Sequence, residues 1–313
     1  MTNYMNKYKQ PSGGSLVLPA VVAVLTVLVI ITVVMVVRLT GEVRELAGGE
    51  PAVSAMAGMG ENGDMLLLQD GSLGEIWLPV LNGVEVSPYD QALFQKDENG
   101  FMEYGDENVQ VWRGIDVSFY QGDIDWQAVK ASGVDFAIVR LGYRGYKVGN
   151  IMLDECFEQN MEGALDAGLD VGVYFFSQAT TEEEAREEAE LVLDCIKPYK
   201  ILYPVVFDWE VIPGNAGRNS EVSVQRLGEC AKVFCDTIDE AGYIPMVYAN
   251  KRLALLKYDL RQLTDYDLWL ANFANKPDFY YDYEMWQYSE RGTVDGIVGN
   301  VDLNISFVNY AER

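Results

Sequence analysis

The run Val205-Val206-Phe207-Asp208-Trp209-Glu210 ends an apolar stretch with two acids spaced i and i+2. In an extended strand this spacing points both side chains to one side, about 6.5 to 7 Å apart along the backbone. Three apolar residues in a row suit a strand buried on both faces. Two carboxylates so close cannot both ionise freely: one stays an anion while the other keeps its proton near neutral pH, as a general acid requires. Asp116 after Gly114-Ile115 and Asp302 after Val301 repeat the arrangement. A charge directly after apolar strand residues needs a partner or a task, although an aspartate there also serves to bond loop amides. Asp116, Asp208, Glu210 and Asp302 are therefore the candidate catalytic acids. Tyr174, Tyr248, Trp269, Asn272, Trp286 and Gln287 fall at other expected strand ends and are the candidate substrate contacts. Each aromatic among them could equally be core or rim packing.

Composition narrows the chemistry further. The chain contains no histidine, which removes Ser-His-Asp triads, histidine-assisted cysteine nucleophiles and histidine-containing zinc sites. Cys156, Cys195, Cys230 and Cys235 show no CxxC spacing, and buried free thiols are the default reading. No metal and no cofactor is called for, so acids and bases must come from Asp, Glu, Tyr and Lys. The formal net charge of −25 would repel phosphates, which sets nucleic acid aside as a partner. The acidic run from Glu182 to Glu190 reads as a solvated helix face capped by Thr180 or Thr181.

These residues need a frame that gathers strand ends. From Arg113 onward, apolar strands, turns and amphipathic segments alternate, which argues for a parallel β/α layout. Strands are expected at 114–119, 136–142, 171–177, 203–210, 244–250, 267–273, 283–288 and 301–307. Helices are expected at 125–131, 153–167, 181–196, 220–241 and 251–255. Eight strands can close a small barrel, and the ends of barrel strands line the active face. After the sixth strand the spacers are too short for crossover helices. The expected fold is an irregular, TIM-like (β/α)5β3 barrel over residues 112–313.

Residues 16–37 carry no charge and at about 1.5 Å per helical residue would span roughly 33 Å, enough for a bilayer core. They read as an uncleaved transmembrane helix, preceded by a short cytoplasmic tail at 1–15 and followed by a flexible stalk at 38–64. Lys7 and Lys9 before the span balance Arg38 and Arg44 after it, so charge does not set its orientation. Placing the barrel on the extracellular side of the cell membrane leans on function. Residues 65–111, punctuated by Asn82-Gly83 and Asn99-Gly100, are expected to form short strands or an extended lead-in. The oligomeric state is left open, Gly-x-x-x-Gly spacing being missing from the span.

Taken together, Gly114-Ile115-Asp116-Val117-Ser118, Tyr120-Gln121-Gly122, Ile124-Asp125-Trp126, Phe136-Ala137-Ile138-Val139-Arg140, Gly172-Val173-Tyr174-Phe175-Phe176-Ser177, Asp208-Trp209-Glu210, Trp286-Gln287-Tyr288 and Val301-Asp302-Leu303-Asn304 closely resemble the glycoside hydrolase family 25 lysozymes, in order and with matching spacings. The resemblance implies a muramidase that cuts the β-1,4 bond between N-acetylmuramic acid and N-acetylglucosamine in peptidoglycan. It implies Glu210 as general acid, Asp208 as its carboxylate partner assisting the substrate's acetamido group, and Asp116 and Asp302 completing the acidic floor. Peptidoglycan glycan strands are then the expected partner. A catalytically silent wall-glycan binder and a chitinase-like acetamido-sugar hydrolase are the alternatives.

Overall fold

The computed structural model of the protein describes residues 57–60, 63–212 and 217–313. The expected transmembrane helix, the tail before it and most of the stalk lie outside them. Among the described residues no helix is long and apolar enough to cross a membrane.

Strands β1 (Ala57–Gly60), β2 (Gly63–Asp70) and β3 (Gly74–Pro79) form a three-stranded antiparallel sheet. The chain is thus already in strand at 57–60, inside the segment expected to be a flexible stalk. The tight link from β2 to β3 is closed by the Asp70 carboxylate, which accepts from the backbone N–H of Ser72 and Leu73 at 2.9 and 2.8 Å. Next come the hairpin strands β4 (Phe94–Lys96) and β5 (Met102–Tyr104). This lead-in packs against the barrel. Phe94, Phe101 and Met102 join the main core, and the Tyr89 ring stacks on Phe307 at 3.8 Å. Tyr281 and Tyr288 hydroxyls accept from the N–H of Leu81 and Met102.

The barrel is built from β6 (Trp112–Val117), β7 (Phe136–Arg144), β9 (Asp170–Ser177), β10 (Val205–Trp209), β11 (Pro245–Asn250), β12 (Asp267–Ala271), β13 (Met285–Gly292) and β14 (Val301–Ser306). The first seven run parallel; β14 is antiparallel to both β13 and β6 and closes the ring. Helices α1 (Trp126–Ala131), α2 (Phe157–Asp166), α3 (Glu182–Ile196), α4 (Val224–Glu240) and α5 (Lys251–Leu256) follow the first five barrel strands. Five β/α units and three further strands match the expected fold. The short β8 (Ile151–Leu153) is an addition, pairing back onto residues 142–144 of β7. Residue 153 therefore ends a strand, and the helix expected from there begins only at Phe157, because the hairpin claims the backbone bonds first.

Strand alternation sorts the barrel into two environments. Outward-facing Ile115, Val139, Val173, Phe207 and Val247 meet the helices in one core, while Phe136, Ile138, Val206, Met246 and Met285 fill the interior. Near the floor the Phe136 ring stacks on Tyr203 at 4.2 Å. Gly114 leaves room for it: a Cβ at 114 would come within 2.1 Å of the Phe136 ring. In α3, the Thr181 side chain caps the first turn, and three glutamates sit there against the positive end of the helix dipole. The expected solvated face is incomplete, because Glu188 is 0% exposed. It accepts from Arg144 Nε at 2.6 Å, and Arg144 also reaches Glu187 and the Gly149 carbonyl. All four cysteines are free thiols.

Candidate active site

Inside the barrel the alternation continues to the carboxyl ends of the strands, where the apolar filling gives way to polar side chains. A cleft of about 320 Å³ opens there, and its walls include Asp116, Asp208, Glu210 and Asp302 together with Tyr174, Tyr248, Trp269 and Gln287. Eight of the ten residues singled out from the sequence therefore meet in one place. Trp286 and Asn272 do not line it. Trp286 follows the pleat to the opposite face of β13 from Gln287, where it is fully buried and packs edge-on against Phe94 at 5.1 Å. Asn272 lies beyond β12, and its carbonyl accepts from the Trp286 indole at 2.8 Å. Trp286 serves the packing between barrel and lead-in, and the Asn272 side chain donates to Asp278.

Asp116 is held by two amides: Gln287 Nε2 and Asn304 Nδ2 each donate to its Oδ2 at 2.8 Å. For Asn304 the orientation is forced. The Tyr248 hydroxyl donates to Gln287 Oε1 and the Trp269 indole to Asn304 Oδ1, both at 2.9 Å. An indole N–H can only donate, so the Asn304 oxygen faces it and the NH₂ is left for the carboxylate. Burial pushes Asp116 up to about 6, the two amides pulling the other way. On the facing register position of β14 sits Asp302, pushed up to about 8 by burial and then by the charge of Asp116.

Asp208 is 5% exposed, and its Oδ1 has no hydrogen-bond partner among the described residues. Burial raises its carboxyl well above the ordinary range; Glu210 and Asp116 add repulsion and Arg140 opposes it. Glu210 is pushed up to about 7, by burial first and Asp116 second. Asp208 and Glu210 therefore titrate as a pair, one proton staying on it near neutral pH. No metal-binding group of three or more Asp, Glu, Cys or His occurs among the described residues. The arrangement can donate a proton and stabilise a nearby cation in one desolvated place, which is general acid and electrostatic chemistry.

Several contributors escaped the sequence reading. Asn304 sits two residues after Asp302, and the i, i+2 rule applied to Asp208 and Glu210 would have found it. Arg140, the cation that lines the cleft, follows four apolar residues in β7, a charge after an apolar run like Asp116. Its Nε donates to Asp154 at 2.7 Å, and the rings of Phe119, Tyr120 and Tyr143 surround its guanidinium at 4.9 to 5.6 Å. Gln178 and Asn219 belong to loops and carry no signal in the sequence.

Fold and site define a closed β/α barrel with a carboxylate-floored cleft at the carboxyl ends of its strands. The model for glycosyl hydrolases family 25 matches residues 115–297, more than half of the chain, and the chain belongs to that family. It is 28% identical over 194 residues to the autolytic lysozyme of Clostridium acetobutylicum, covering 61% of this chain and 55% of that protein. The chain thus spans about half the length of that relative. Over 66 residues, 21% of each chain, it is 36% identical to lysozyme M1 of Streptomyces globisporus. Among solved structures it resembles the modular autolysin LytC of Streptococcus pneumoniae in complex with a synthetic peptidoglycan ligand, with a TM-score of 0.54, 25% identity, and coverage of 77% of this chain and 56% of that one. A family 25 glycosyl hydrolase from Bacillus anthracis shares the fold, with a TM-score of 0.54 at 24% identity over 65% of this chain and 92% of that one.

Proposed function

We propose that the barrel hydrolyses peptidoglycan as a muramidase, cutting the β-1,4 bond that follows N-acetylmuramic acid. The observation that carries this reading is the pair Asp208 and Glu210, buried together in a cleft of about 320 Å³, both carboxyls raised by burial. Glu210 protonates the leaving glycosidic oxygen. Asp208 Oδ1, which lacks a partner among the described residues, accepts the N–H of the substrate's 2-acetamido group. That bond favours the Asp208 anion and leaves the shared proton on Glu210. The acetamido carbonyl then attacks the anomeric carbon as the leaving group departs, and water later opens the cyclic intermediate, one of the recognised departures from a two-carboxylate displacement. Asp116, fixed by its two amides, supplies the negative charge that the developing positive charge sees, with Asp302 beside it on β14.

Purified full-length protein incubated with peptidoglycan should release fragments with new N-acetylmuramic acid reducing ends, read by mass analysis. Absence of new ends, or new N-acetylglucosamine ends, overturns the assignment. We further propose that residues 16–37 anchor the chain in the cell membrane with the barrel outside. Protease added to intact cells should then remove the barrel; a protected barrel would reverse the orientation.

A further inference from the structure

Glu210 stands one residue past the end of β10, where the strand ladder has stopped. Its side chain inherits whatever freedom its peptide has, and a misplacement of about 1 Å can cost a reacting group roughly a hundredfold in rate. Two side chains take over where the ladder ends. Gln178, directly after β9, donates from Nε2 to the Glu210 carbonyl at 2.7 Å, and Asn219 donates from Nδ2 to the same oxygen at 2.8 Å. Both are sealed from solvent, at 0% and 1% exposure. Each is anchored in turn. Gln178 Nε2 also donates to the Ser177 carbonyl at 3.0 Å, and the Trp209 indole ties β10 to the Ala179 carbonyl at 2.9 Å. Arg218, beside Asn219, bonds the Gln178 carbonyl at 3.0 Å and the Glu184 carboxylate on α3.

The arrangement is a poor one for stability alone. Gln178 Oε1 and Asn219 Oδ1 are both buried without a hydrogen-bond partner among the described residues, and each such group costs about 1 to 3 kcal/mol. One donor would satisfy the carbonyl; two arrive, from different loops, on the peptide that carries the acid. We infer that Gln178 and Asn219 are positioning residues that pin the peptide following Glu210 and so aim its carboxyl at the scissile oxygen. This rests on Glu210 being the general acid.

The test is leaving-group dependence. Gln178→Met and Asn219→Leu remove the donor and the orphaned oxygen at nearly constant volume; Asn219→Ala serves if leucine does not fit. Each full-length variant should lose about 10- to 100-fold in kcat on peptidoglycan with KM within about twofold. On a dinitrophenyl β-glycoside of the wall disaccharide, whose leaving group departs without a proton, the same variants should stay within about twofold of the parent. Because both residues act on one oxygen, the double variant should lose less than the product of the single losses. Equal losses on both substrates, or no loss on peptidoglycan, overturn the inference. Glu210→Gln is the control: if it lacks the same leaving-group pattern, the assignment of Glu210 falls, whatever the clamp variants do.

Discussion

Replacing Glu210 with glutamine should end turnover of peptidoglycan and, in mild alkali, make the fold more stable. Burial, and then the charge of Asp116, push the Glu210 carboxyl from the ordinary 4.5 up to about 7. In the unfolded chain nothing raises it. Between these two values the folded state holds more protons than the unfolded one, so stability is fully present below 4.5 and is lost as pH rises through about 7. The difference is worth roughly 3 kcal/mol once the pH exceeds the folded value. Glutamine does not titrate, and it removes a charge that repels Asp208 and Asp302. Allowing about 1 kcal/mol for imperfect bonding of the new amide, the variant should gain roughly 2 kcal/mol at about pH 8, which is roughly 4 to 8 °C in Tm for a domain of this size. Thermal melts at about pH 8 and about pH 4 read it directly, and at the lower pH the gain should vanish. A variant that melts no higher than the parent at the higher pH, or gains equally at both, would show that the carboxyl is not strained by burial.

Asn304→Leu should deprive Asp116 of one of its two amide donors and raise its carboxyl further. The acidic limb of the pH profile for kcat/KM then moves upward, which initial-rate measurements would detect. Arg144→Met leaves Glu188 buried without its cation and should destabilise the fold by about 3 to 5 kcal/mol. With Arg144 in place burial pushes Glu188 up to about 7, and losing the cation raises it further, so denaturant titrations should find the loss shrinking as the pH falls toward that value and level below it, where both proteins hold the proton. Gly114→Ala drives a methyl into the Phe136 ring and should cost about 1 to 3 kcal/mol or more, seen as a lower Tm with the active-site acids unchanged.

Much of this architecture was legible because it follows from periodicity. Apolar runs spaced by amphipathic segments specified the eight barrel strands and five helices, and the i, i+2 spacing specified which side Asp208 and Glu210 share. Where a segment's neighbours decided the outcome, the reading slipped. Residue 153 looked helical but pairs in β8, since the end of β7 offers it a free edge. Glu188 looked like one more solvated acid in a run of acids, yet Arg144 lies 44 positions away in sequence and reaches it in space.

Trp286 and Gln287 make the division plain. Two residue types at a strand end said that polar and aromatic groups would gather there; the pleat and the packing of the lead-in decided that the glutamine faces the cleft and the tryptophan faces Phe94. The sequence by itself determined the strand and helix periods, the absence of histidine chemistry and which four acids stand near strand ends, because these depend only on residue type and local spacing. The tertiary structure alone decided which amides hold Asp116, which loops grip the Glu210 carbonyl and how far burial raises each carboxyl. Those depend on groups brought together from remote parts of the chain and on the water their meeting excludes.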